Sequence, residues 1–261
     1  MTDTFKGQGL PIDAATFGSV TGSLGIDAAT LWTVMAVETK GVGFLPDRRP
    51  DILFERHIFS RETNGAYDQA YPAISNPQPG GYGAAGANQY DRLAQAIALD
   101  RTAALRSASW GIGQIMGFNF AAAGYASVDD MVAAMVASEN AQLTAMAAFL
   151  QSNKLAAFLQ QKDWAGYAKH YNGPNYAINK YDQNLAAAYQ KYSTSALPDI
   201  DARAAQLYLI YLGYNPGPVD GMPGSKTLSA LAGFLTKQGL PASNVVTPDI
   251  LASLQQAAGA I

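Results

Sequence analysis

DAATLWTVMAVETKG, residues 27–41, decides the reading of this chain. Asp27 offers an N-cap side chain, and Leu31, Val34, Met35 and Glu38 recur at i, i+3, i+4 and i+7, the spacing of one helix face. Trp32 and Ala36 widen that face. The pattern predicts a helix from Ala28 to about Lys40, ended at Gly41. Glu38 then sits on the apolar side of the last turn. A carboxylate there is penalised twice when ionised, because burial removes its water and the helix dipole is negative at that end. Both effects favour the protonated acid near neutral pH, the form that protonates a leaving-group oxygen in glycoside cleavage. The plainer alternative is a surface pairing of Glu38 with Lys40 or Arg48.

A second acid follows. Residues 41–50 read as a loop, with Gly41, Gly43, Pro46 and Pro50. ILFERHIF, 52–59, reads as a short strand turning into a helix or as either alone. Within it Glu55 is flanked by Leu53, Phe54, Ile58 and Phe59, and a carboxylate in an apolar run needs a partner or a task. Arg56, Arg61 or His57 would make it a structural ion pair; otherwise it is the second carboxylate of a glycosidase pair. His57 reads foremost as a hydrogen-bonded histidine of the core, and secondarily as a group that adjusts Glu55 near neutrality.

Further along, residues 63–90 are rich in Gly, Pro, Asn, Tyr and Ser, and a loop this long inside a domain is often functional. Tyr67, Tyr71, Tyr82 and Tyr90 bracket it, as a sugar-binding wall or as scattered surface residues. Helices are expected at 90–107, 109–118, 128–151, 154–160, 163–171 and 175–192. SWGIGQIMGFN, 109–119, is unusual for a helix, since each interior Gly costs roughly 1 kcal/mol relative to Ala. Tight packing accounts for Gly111, Gly113 and Gly117; Gln114 and Trp110 are candidates for hydrogen bonding to and stacking on a sugar. YNGP, 171–174, is a turn, and Tyr171 and Asn172 carry groups suited to carbohydrate.

The chain of 261 residues is long enough for one domain and a small module. Composition shifts at STSALPD, 193–199, which divides it into 1–195 and 196–261. The second part holds helices at 201–212, 225–238 and 249–257 around the loop GYNPGPVDGMPG. The net charge of −3 and scattered Lys and Arg give no basic stripe for nucleic acid. With no cysteine and two histidines, neither a thiolate nor a usual zinc site is expected, and no cofactor is called for. GPVDG lacks the Gly-Lys-Ser/Thr ending of a phosphate loop, and no Gly-x-Ser-x-Gly elbow occurs. MTDTFKGQGL has no apolar run, so no signal peptide is expected there, and no stretch is long enough to insert stably in a membrane.

AVETKGVGFLPDRRPDILFERHIF at 36–59, SWGIGQIMGFN at 109–119 and YAKHYNGPNY at 167–176 resemble the N-acetylmuramidase domain of modular bacteriophage endolysins, over about residues 10–192. Residues 199–257, with VDGMPGSKTLSAL at 219–231, resemble a three-helix peptidoglycan-binding domain. The resemblance implies a mainly α fold: a lysozyme-like helical catalytic domain with long loops or a small β element, plus the three-helix module. It implies Glu38 as catalytic acid and Glu55 as the second acid. Gln114, Trp110, Tyr171, Asn172 and His57 become substrate-binding candidates, and Asp220, Gly221 and Thr227 wall-binding ones. Thr39 stands where the family commonly has Ser after the acid, which keeps the hydroxyl.

The expected reaction is hydrolysis of the β-1,4 bond between N-acetylmuramic acid and N-acetylglucosamine. A lytic transglycosylase using the same acid and a non-catalytic wall-binding protein are the alternatives. The expected partner is bacterial peptidoglycan, and the expected form a monomer. The endolysin resemblance also implies synthesis in the host cytoplasm and action in the periplasm after release through a holin lesion.

Overall fold

The computed structural model describes residues 4–39 and 41–259, with Thr39 described by its backbone alone. Lys40 and the Thr39 hydroxyl, both invoked above, lie outside what is described. Helix α1 (Ala14–Leu24) is capped by Asp13, and α2 (Ala28–Thr39) follows after three residues. The apolar face of α2 is broader than one stripe. Leu31, Trp32, Val34 and Met35 are buried, and so are Thr30 and Thr33 on the other sides. Each threonine hydroxyl is satisfied locally, by Asp27 Oδ1 and by the Ala29 carbonyl. Helix α2 is therefore a central helix rather than a surface one.

Residues 52–59 resolve into strand and helix in succession: β1 (Ile52–Phe54), then α3 (Arg56–Glu62), with Glu55 at the junction. The long loop stands between α3 and α4 (Asn88–Leu99). Its ends are pinned by buried side chains. Gln89 donates to the Tyr82 and Ala84 carbonyls and accepts from the Phe54 N–H, and Asp68 accepts from Ser60 and Ser75.

Three expectations fail for local reasons. The helix expected at 90–107 breaks at Asp100, which caps α5 (Arg101–Arg106) through the Ala103 N–H. The helix expected at 128–151 breaks at Ser138, which caps α7 (Glu139–Ser152) after α6 (Val128–Ala137). A polar side chain that can cap competes with helix continuation, and here it wins. The third failure is the helix at 109–118, which is a hairpin. Strand β2 (Ala108–Trp110) pairs antiparallel with β1, Ile52 opposite Trp110, and with β3 (Ile115–Met116), Trp110 opposite Ile115. Gly111 at φ +64° opens the turn, where a Cβ would lie 2.5 Å from the Gln142 side chain.

The first part closes with α8 (Ala156–Gln161), α9 (Trp164–Tyr171) and α10 (Tyr181–Thr194), the last packed along α2. Helix α10 starts later than expected, because residues 174–180 form turns. After a short connection come α11 (Ile200–Tyr211), α12 (Ser225–Gln238) and α13 (Pro248–Ala257). They enclose a second core of Leu209, Leu231, Phe234, Leu235 and Leu254, separate from the main one. Among the described residues no single helix is long and apolar enough to cross a membrane.

Candidate active site

Glu38 lies in the last turn of α2, with its carboxyl withdrawn from solvent. Burial pushes it from 4.5 up to about 7, against a smaller opposing pull from Asn172. Asn172, at the C-cap of α9, donates from Nδ2 to Glu38 Oε2 at 3.0 Å. Glu38 Oε1 and Asn172 Oδ1 are both buried without a hydrogen-bond partner. Arg48 does not reach Glu38; its guanidinium donates to the Ala258 carbonyl and lies over the Tyr211 ring. Behind the acid, Tyr171 stacks on Tyr167 with centroids 5.1 Å apart, and its hydroxyl donates to the Gly113 carbonyl. Burial, with Glu38 adding to it, holds both phenols well above their ordinary range, so they stay neutral.

Glu55 sits at the junction of β1 and α3. Strand β1 leads directly into it, and its N–H is fixed to the Ser107 carbonyl at 2.9 Å. Burial raises the carboxyl, outweighing the pull of His57, Tyr82 and Arg92. His57 Nδ1 stands 3.2 Å from Glu55 Oε2 without hydrogen-bond alignment. His57 is thus at the site's edge beside Glu55, rather than a hydrogen-bonded core histidine. The arginines offered as partners are engaged elsewhere: Arg56 Nε donates to the Gln78 carbonyl, and Arg61 pairs with Glu62.

Helix α7 is the shelf under both halves. Glu139 and Gln142 are fully buried polar residues on the face that also presents Met146. Glu139 accepts from the Gly43 N–H at 2.8 Å, in the loop that follows Glu38. Gln142 accepts from the Ile112 N–H at 2.8 Å, in the hairpin turn. The sequence signal for both was legible: a Glu and a Gln at i and i+3 inside the apolar run of α7, on its buried face.

Several candidates have other tasks. Trp110 is 0% exposed and donates to the Leu105 carbonyl, so it is a core residue and offers no face for a sugar. Gln114, at φ +45°, spends its amide on the Asp51 and Gly111 carbonyls and accepts from Ser109. It locks the hairpin turn to β1 rather than presenting a free amide. Of the four tyrosines, Tyr90 is buried against the Pro50 carbonyl and Tyr67 donates to the Leu99 carbonyl. Only Tyr71, 46% exposed, and Tyr82, 38% exposed, face outward.

The wall-binding candidates are corrected likewise. Gln206, fully buried in α11, accepts from the Asp220 and Gly221 N–H groups and donates to Asp220 Oδ1 and Thr227 Oγ1. Thr227 in turn donates to the Pro216 carbonyl. Gly221 and Thr227 are buried, so this signature holds the module's loop to its first helix. Among the described residues no cluster of three or more His, Asp or Glu suits a metal ion.

Glu38, buried at a helix end and held by the Asn172 amide, and Glu55, partly buried at the end of β1, are thus two carboxyls whose burial raises them. The N-acetylmuramidase family matches residues 27–193, and the peptidoglycan binding domain family matches residues 199–254. The crystal structure of Burkholderia AP3 phage endolysin is 43% identical, with a TM-score of 0.65, and the match covers 70% of this chain and 71% of that one. No curated protein matches the chain significantly.

Proposed function

The chain belongs to the N-acetylmuramidase family, and from that premise we propose that Glu38 is its general acid and Glu55 the carboxylate that serves the attacking water. Its substrate is peptidoglycan, and the bond cleaved is the β-1,4 link from N-acetylmuramic acid to N-acetylglucosamine. Glu38 gives its proton to the bridging oxygen as the C1–O bond breaks. Water adds to the oxocarbenium-like C1, and its proton passes to Glu55. Asn172 keeps Glu38 aimed. The observation that carries this reading is the Glu38 carboxyl, buried with one hydrogen-bond partner and holding its proton up to about pH 7. Glu55 is not among the groups that perturb Glu38, which supports two separate acids rather than a pair sharing one proton.

We place the division between catalytic and wall-binding parts at 195/196. We further propose a monomer made in the host cytoplasm that reaches periplasmic peptidoglycan through a holin lesion. The test is mass spectrometry of purified wall digested by the full chain. Reducing-end muramic acid, lost in Glu38→Gln, is the expected product. Anhydromuramic ends would replace hydrolysis with a transglycosylase reaction, and reducing-end glucosamine would reject the muramidase assignment.

A further inference from the structure

One side chain of the C-terminal module reaches the loop that follows Glu38. Arg203, on α11, is 0% exposed. It donates from Nη1 to Glu139 Oε2 at 2.6 Å, from Nη2 to Glu139 Oε1 at 2.9 Å, and from Nε to the Gly41 carbonyl at 3.1 Å. Gly41 is the residue that closes α2: at φ +83°, its N–H donates to the Met35 carbonyl at 3.1 Å. A Cβ at Gly41 would lie 2.9 Å from the Val219 carbonyl, so the module also covers this residue from a second side. Glu139 passes the same hold to Gly43 and, through the Ile12 N–H at 3.1 Å, to the start of the chain.

We infer that Arg203 is a positioning residue for Glu38, so that the wall-binding module completes the catalytic site and is not merely tethered to it. The inference rests on Glu38 being the acid. Gly41 is gripped through its N–H by the helix that carries Glu38 and through its carbonyl by Arg203. A bidentate guanidinium fixes direction as well as distance, which a lysine cannot. Glu38 has one side-chain anchor, Asn172, and its proton affinity comes from burial. Release of the Gly41 carbonyl frees the last turn of α2, lets water reach the carboxyl, and returns it toward an ordinary glutamate.

Two further hydrogen bonds join the two parts, one of them from farther along the same loop. Tyr211 donates to the Gly9 carbonyl, and Arg48 reaches Ala258. They dock the module away from Gly41; among the described residues Arg203 is the module side chain that hydrogen-bonds to the residue closing α2.

The test uses the full chain, with Arg203→Gln and Arg203→Lys read by folding, by sedimentation with purified sacculi, and by the pH profile of product release. The expected result is a folded protein that still sediments with sacculi, whose alkaline limb of kcat moves at least one pH unit toward acid. At slightly alkaline pH that corresponds to about tenfold or more lost, since each unit between pH and pKa is a factor of ten in the protonated acid. Arg203→Lys should recover little of it. If the single variants fail to fold, Arg203→Met with Glu139→Gln removes both buried charges together and leaves no unpaired ion. It should show the same displaced limb. A folded variant with the wild-type limb and rate overturns the inference, because a purely structural role lowers the folded fraction without moving the limb. Glu38→Gln in parallel separates the two readings: if it stays active, the acid itself is misassigned; if it is inactive while the Arg203 variants behave as wild type, only the positioning role falls.

Discussion

Replacing Glu38 by Gln should abolish cleavage and, above neutral pH, make the protein more stable. Burial raises the carboxyl from 4.5 to about 7. Between those values the folded chain keeps a proton that the unfolded chain gives up. A group raised in this way contributes fully below pH 4.5, and that contribution disappears as pH climbs through 7. The interval is about two and a half pH units, and at ~1.4 kcal/mol per unit the loss is ~3 kcal/mol. Gln is neutral at every pH and has no such loss. Urea titrations of both proteins by tryptophan fluorescence, from about pH 5 to about pH 9, measure the difference directly. The advantage of Glu38→Gln should be small at the acid end and grow to ~3 kcal/mol at the alkaline end. A difference that stays flat across that range refutes the buried, proton-holding carboxyl, whatever the activity data say. The same ionisation sets the rate, so wild-type cleavage should fall off as pH passes 7.

Asn172→Ala removes the one hydrogen bond that favours ionised Glu38. The alkaline limb of the rate should move to higher pH, while the rate at its optimum drops about tenfold from lost aim; a limb moving to lower pH contradicts the assignment. His57→Gln removes a group that lowers Glu55. Since Glu55 serves water as the anion, the acid limb should rise in pH in the same kinetic assay. Trp110→Ala truncates a fully buried ring, so thermal or urea unfolding should register a loss of ~3–5 kcal/mol. KM of the remaining folded protein should be unchanged, and a selective rise in KM would restore a sugar-contacting role.

The two carboxylates were legible because charge inside an apolar pattern is a conflict that periodicity exposes. Asn172 was legible as a polar residue at a turn, though not as the partner of Glu38, since 134 residues separate them and no local pattern encodes that meeting. The hairpin at 108–116 was misread because its apolar residues fit a helical spacing about as well as two short strands. The glycines were the better witness. A Cβ at Gly111 or Gly113 would press on Gln142 or Met146, so those positions record how near α7 comes. The module signature misled in another way: Asp220, Gly221 and Thr227 close a loop around Gln206, and residues with that task look the same in sequence as a binding motif. The breaks at Asp100 and Ser138 were within reach, since both residues cap well, but the apolar runs on either side join smoothly across them.

The pair Arg203–Glu139 is buried at 0% exposure on both sides, and stability does not explain it. Removing one partner of such a pair costs roughly 3–5 kcal/mol, yet replacing both by well-packed apolar residues is often neutral or better. What apolar residues cannot do is orient peptide groups. Glu139 receives N–H groups from Ile12 and Gly43, and Arg203 directs its remaining donors at the Gly41 carbonyl. The charges therefore fix three peptide groups, two of them in the loop that closes the helix holding the acid, relative to α7. This changes how a truncated chain should be interpreted. Cutting at 195 takes away peptidoglycan attachment, but it also strips the counter-ion from Glu139 and the donor from Gly41. Loss of cleavage in such a fragment does not show that wall attachment was the missing function, and substitutions at Arg203 in the full chain separate the two.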